Sequence, residues 1–137
     1  MSNLADPVDL IDPWAKKLLQ KAAEDETVLH AEEVPDGPFG FHAQQAVEKL
    51  FKALLAQKQI LFDRTHDVTK LATQLADASE TLPVTPTHFS ELNQFAVVYR
   101  YDSIPLLEIP DRPATIETVR ILREHITARI AALTSQP

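Results

Sequence analysis

A chain of 137 residues with 20 acidic and 13 basic side chains, net charge −7, is long enough for one domain and lacks the basic surface that sequence-independent duplex binding needs. It has no cysteine, which excludes disulfides, thiolate metal sites and cysteine nucleophiles. There is no apolar run of about 18 residues and no basic-then-apolar leader, so we read no membrane span and no signal peptide, and a cytoplasmic location follows by default.

Residues 1–11 read as a flexible N-terminus. Asp12-Pro13 then marks a helix start, a carboxylate cap followed by proline in the first turn. Trp14, Leu18, Ala22 and Leu29 keep roughly one face of this helix. Glu24, Asp25, Glu26, Glu32 and Glu33 make its end acidic, which opposes the helix dipole and predicts fraying. Pro35-Asp36-Gly37-Pro38 reads as a loop. A central helix over Phe39 to Lys58 follows, with Ala43, Ala46, Val47, Leu50, Leu54 and Leu55 at steps of three and four. A second, polar row runs along it: His42, Gln45, Lys49 and Lys52. Glu48 and Lys52 form an i,i+4 pair of favourable order.

After a short connector, Thr65 reads as the cap of a third helix whose apolar side is Val68, Leu71, Ala72 and Leu75, with Asp67 in its first turn. Thr85-Pro86 starts a fourth. Its stripe is Phe89, Leu92, Phe95, Ala96 and Tyr99, with Asn93, Val97 and Arg100 on a neighbouring strip. The prolines between Ser103 and Pro113 exclude regular helix there. A last helix spans about Ala114 to Leu133, its inner side Ile116, Val119, Ile126, Ile130 and Leu133 broken only by Arg123. The expected fold is all-α, an antiparallel up-and-down bundle of four or five helices over residues 12–133, with a flexible tail at 134–137.

The only two glycines, Gly37 and Gly40, exclude a glycine-rich phosphate loop. The five histidines are scattered and form neither HxxxH nor HExxH, so no metal site is expected. Trp14, Phe39, Phe51 and Phe89 read as core or interface. The row His42, Gln45, Lys49, Lys52 has two readings: the lining of an anionic pocket, or a solvated or dimer-facing helix side. Arg64 and His66 flank a helix start, where backbone N–H groups attract anions. Alternatively Arg64 pairs with a carboxylate such as Asp67, and His66 packs on the bundle. Arg100-Tyr101-Asp102 ends a helix, where a cation suits the dipole, and Asn93 shares a face with Arg100.

Phe41-His42-Ala43-Gln44-Gln45-Ala46-Val47-Glu48-Lys49, then Lys52-Ala53-Leu54-Leu55, Arg64-Thr65-His66-Asp67 and Tyr99-Arg100-Tyr101-Asp102, in this order, resemble the HEPN domain family, in particular its small stand-alone prokaryotic members. The resemblance implies a helical bundle that is usually a homodimer. It implies three functional themes: metal-independent RNA endonucleases with an Arg-x(4–6)-His motif paired across the dimer, partners of small nucleotidyltransferases in modules of toxin–antitoxin type, and nucleotide binding. This chain departs from the endonuclease pattern. Arg100 stands at the expected place, but Pro105, Leu106 and Leu107 occupy the positions a matching histidine would need. Arg120 and His125 have the spacing but lie inside the last helix, turned away from each other.

The function expected is therefore a binding protein without the standard ribonuclease activity and without a cofactor, partnering a small nucleotidyltransferase, a nucleotide or both. The alternatives are an RNA endonuclease, for which Arg100, His66 and His42 are the catalytic candidates, and a purely structural dimerisation module. Candidates for nucleotide or partner binding are His42, Gln45, Lys49, Lys52, Arg64, His66, Asn93, Arg100, Tyr101 and Asp102.

Overall fold

Asp12 caps the first helix as its position before Pro13 predicts: its Oδ1 accepts from the N–H groups of Trp14 and Ala15 at 2.9 and 3.1 Å, an arrangement worth about 1 kcal/mol. The computed structural model describes residues 10–62, 64–100 and 110–134, with side chains at each except 86 and 96–100. Five helices and no strand occupy the described residues: α1 Pro13–Leu29, α2 Asp36–Gln57, α3 Val68–Asp77, α4 Pro86–Arg100 and α5 Arg112–Thr134. The expectations for the side chains of Ala96, Val97, Tyr99 and Arg100, and for everything from Tyr101 to Ile109, lie outside the described set, as do residues 1–9 and 135–137.

α1 buries Ala15, Leu18, Ala22 and Leu29 but leaves Trp14 53% exposed. Trp14 therefore does not belong to the core of the chain. One residue on a helix is a turn of about 100°, so burying Ala15 swings Trp14 outwards. At the acidic end of α1 the dipole's opposition has a counterweight. The helix runs to Leu29 because Asp25 and Glu26 are held by cations of α2 and α5, while Glu32 and Glu33 fall beyond it.

α2 begins at Asp36, three residues before the expected start. Its cap residue Pro35 offers no side-chain bond. Arg112 ties this end of α2 to the start of α5: its guanidinium donates to the Val34 carbonyl at 2.5 Å and to Asp36 at 2.8 Å, and lies 4.6 Å over the Phe39 ring. Proline costs no hydrogen bond in a first turn, which is why Pro38 is accommodated in α2 and Pro113 in α5. α5 starts two residues earlier than the pattern suggests, with Asp111 accepting from the Ala114 N–H at 3.1 Å.

The cap of α3 is Asp67, not Thr65. The Asp67 carboxylate accepts from the N–H groups of Thr69 and Lys70, and the Thr65 hydroxyl instead accepts from the Asp67 N–H at 3.0 Å.

α2 is the hub, packing against each of the other four helices. Contacts at its two ends fix the directions. Asp12 at the start of α1 donates its N–H to Gln57 at the end of α2 (2.7 Å), and Gln57 returns a bond to the Leu10 carbonyl, while Asp25 near the end of α1 meets His42. α1 and α2 are thus antiparallel. α4 is also antiparallel to α2, since Phe89 meets Phe51 edge-on at 5.2 Å and Phe95 meets Gly40. The core is what the periodicity picks out: Phe39, Phe51, Phe89, Leu50, Leu54, Leu55, Leu71, Leu75, Leu122, Ile126 and Ile130 are almost fully buried. Gly40 has a steric reason. A Cβ there would overlap the ring carbons of Phe95, so the closest approach of α2 and α4 requires a residue without one.

Candidate functional site

The charged residues of the central helix and its C-cap are organised by three buried carboxylates, each bound to a different lysine, Lys49 and Lys52 on α2 and Lys58 just past its end. Asp25 of α1 accepts from Lys49 at 2.5 Å and from His42 Nδ1 at 2.8 Å. Glu48, on α2 itself, accepts from Lys52 at 3.1 Å and from His66 Nδ1 at 3.0 Å, with Gln45 Nε2 at 3.1 Å. Glu80, in the connection between α3 and α4, accepts from Lys58 at 2.8 Å and from Arg129 of α5 through two N–H groups at 2.8 and 3.0 Å. In every case a lysine and a second nitrogen donor close over a carboxylate that packing has removed from water.

Glu48 is the most enclosed α2 carboxylate, 3% exposed. A buried carboxylate without donors is costly, and four side chains answer it. Gln44 adds a bond at 3.4 Å, also donates to the His66 carbonyl at 2.5 Å, and accepts from Gln45 at 2.7 Å. These bonds dock the α2–α3 connection onto α2. Lys52 also lies 5.7 Å from the Phe62 ring centroid.

Electrostatics follow the same pairs. The hydrogen bond from Arg129 outweighs burial at Glu80 and, with Lys58, holds its carboxyl down at about 2. At Asp67 burial pushes upwards, but hydrogen bonds from Asn93, Thr69 and Lys70 prevail and leave the carboxyl below its ordinary value.

The proposed polar row thus divides. Gln45, Lys52 and His66 meet at Glu48, whereas His42 and Lys49 meet at Asp25. Asn93 goes elsewhere: its Oδ1 accepts from the Val68 N–H at 3.1 Å and its Nδ2 donates to Asp67 at 2.8 Å and Thr69 at 3.2 Å, which ties α4 to the start of α3. Arg64 is exposed, and the carboxylate partner expected for it, Asp67, is engaged with Asn93 and the α3 backbone. Arg100 closes α4, its side chain outside the described set together with Tyr101 and Asp102. Arg120 binds Glu117 and Glu124 of its own helix, and His125 has a buried Nε2 without a hydrogen-bond partner, so these two do not act together. Arg123 pairs with Glu26 of α1 at 2.8 Å.

Chemically, each histidine–carboxylate pair orients an imidazole through Nδ1, the arrangement that readies Nε2 for proton transfer, yet the same contacts are sufficient to satisfy the buried acids. No cluster of three or more metal-ligating side chains occurs among the described residues. No described helix is long and apolar enough to cross a membrane.

Sequence reasoning missed Asp25 and Glu80. Asp25 carried a readable signal: Leu18, Ala22, Asp25 and Leu29 recur at steps of four, three and four, so the acid stands in the buried stripe. Glu80 lies in a connection with no periodicity to betray it.

Away from these pairs, one end of the bundle is apolar and open. Leu10, Trp14 and Leu61 are 50%, 53% and 94% exposed, beside a cavity of about 400 Å³ lined by Trp14, Ala56, Ile60, Leu61 and Phe62, with Asp12 and Gln59 as its polar members.

Compared with known families, the chain matches the HEPN domain model over residues 38–127. Neither the curated proteins nor the solved structures contain a match to it.

Proposed function

The chain belongs to the HEPN domain family, and on that footing we propose that it is a binding protein that works through protein contact, with a small nucleotidyltransferase as partner and with no ribonuclease activity of the standard kind. The observation that carries this is the open apolar end around Trp14 and Leu61. Contiguous exposed apolar surface marks interaction sites, and aromatic anchors dominate such contacts.

Two further observations support it. The two lysines of the α2 row, Lys49 and Lys52, are already neutralised by Asp25 and Glu48, so this face does not offer unpaired lysine charge to a phosphate. The positions after Arg100 that a ribonuclease would fill with histidine hold Pro105, Leu106 and Leu107.

The test is purification of the tagged chain from its native cell, beside Trp14→Ala and Leu61→Ser variants. A nucleotidyltransferase recovered in stoichiometric amount with the parent chain, and several-fold less with the variants, is the expected result. Recovery that ignores both substitutions refutes the apolar end as the contact. Cleavage of mixed RNA that disappears in Arg100→Ala would instead establish the endonuclease reading.

A further inference from the structure

The first turns of α1 carry charge of one sign. Between Pro13 and Ala23 the sequence holds Lys16, Lys17 and Lys21 and no acid, in a chain of net charge −7. Trp14, Lys17 and Lys21 stand three and then four positions apart, so they share one strip of the helix. All three are exposed. The strip continues into Asp25, which turns inward to His42 and Lys49 of α2, so it runs along the α1–α2 seam. At its apolar end lies the cavity that Trp14 lines with Ala56, Ile60, Leu61 and Phe62.

The two lysines of this strip are not used inside the fold. Lys49, Lys52, Lys58, Arg112, Arg123 and Arg129 each hold a carboxylate at 2.5–3.1 Å. Lys17 has no acidic partner among the described residues. Lys21 meets Glu24 only at 3.6 Å, with both side chains more than half exposed, a contact that contributes little. Asp12, the acid in the cavity wall, already accepts from the N–H groups of Trp14 and Ala15. What binds here must therefore combine an apolar anchor with negative charge spread over about 10 Å, the rise of α1 from Trp14 to Lys21. A concave pocket receives a single side chain, whereas a lipid surface buries a flat apolar face. Two lysines are few for a nucleic-acid backbone, whose affinity grows with the number of phosphates neutralised.

We propose that the α1–α2 seam docks an acidic segment of a protein partner, which seats an aliphatic or aromatic side chain beside Trp14 and sets carboxylates against Lys17 and Lys21. This rests on the reading of the apolar end as the partner contact and adds the charge of what binds there.

Trp14 is the only tryptophan, so its fluorescence reports this site alone. The full chain is titrated with a blocked helical peptide whose leucine stripe is flanked by glutamates, with the same peptide bearing lysines in place of the glutamates, with phosphatidylglycerol vesicles and with poly(U) RNA. A saturable blue shift with the acidic peptide is expected as the indole leaves water, and no shift with the other three. The double variant Lys17→Glu with Lys21→Glu should weaken the binding roughly tenfold with an unchanged circular dichroism spectrum, and high salt should weaken it too. An equal response to the lysine peptide, a shift with vesicles or RNA, no shift with any probe, or full affinity in the folded double variant overturns the proposal. So does a blue shift that grows with protein concentration in the absence of probe, which would assign the surface to a second copy of this chain. In the native-cell purification, partner recovery that falls in Trp14→Ala but holds in the double variant refutes the acidic segment and leaves the proposed function standing, whereas recovery indifferent to both refutes both.

Discussion

Replacing Glu80 by glutamine isolates the electrostatic part of the fold. The side chain keeps its shape and an acceptor, but the charge that faces Lys58 and the two N–H groups of Arg129 is lost. The carboxyl is held down from its ordinary 4.5 to about 2, which corresponds to about 3 kcal/mol of native stability at neutral pH. Because the folded value is depressed, this contribution is complete above pH 4.5 and is lost as pH falls towards 2. At that point a protonated Glu80 and a glutamine are nearly equivalent. Urea unfolding of parent and variant, followed by circular dichroism at pH 7, 4.5, 3 and 2, measures the difference directly. The variant should trail by about 3 kcal/mol at pH 7, or roughly 1.5 M in midpoint for a slope near 2 kcal/mol/M. The gap should close at pH 2. Other acids titrate in the same window, but they do so in both proteins and cancel. A gap that stays constant from pH 7 to pH 2 would refute the assignment of this stability to the Glu80 charge.

Three further outcomes are expected. Glu48→Ala should cost about 3 kcal/mol in the same unfolding assay, because Lys52 is left buried without its counter-charge and Gln45 without its acceptor; a loss under 1 kcal/mol would contradict that. Gly40→Ala should destabilise by about 1–2 kcal/mol, as the overlap with the Phe95 ring outweighs the better helix propensity of alanine, and its thermal midpoint should fall. Ser79→Gly should stabilise by roughly 0.5–1 kcal/mol, since Ser79 follows α3 with φ of 68°, a conformation glycine adopts without strain, and a higher urea midpoint would record it.

How far the sequence shows this structure depends on the range of the interaction. The helices and their inner faces follow from local spacing, as at Ala43, Val47, Leu50 and Leu54, and the Asp12-Pro13 start needs only neighbouring residues. The choice between Thr65 and Asp67 as a cap is harder, because both are good cap residues two positions apart. It is settled from α4, where Asn93 grips the Asp67 carboxylate. Within the candidate site, the polar row on α2 was legible, but its meaning was not. Lys49 and Lys58 are spoken for by acids 24 and 22 residues away, and periodicity carries no information about pairs at that distance. Trp14 shares a rough face with Leu18 and so reads as core or interface from the sequence, and local spacing does not choose between the two; the structure buries Ala15 beside it and leaves Trp14 half exposed.

Because every other helix leans on α2, its backbone amides have no route to solvent short of losing the whole bundle. In hydrogen-exchange experiments the amides of Ala43 to Leu55 should therefore exchange slowest, at the free energy of global unfolding. α3 has only ten residues and contacts only α2 and α4. Its amides should exchange faster than those of α2, and faster still in Asn93→Ala, which removes the bonds that hold α3 to α4.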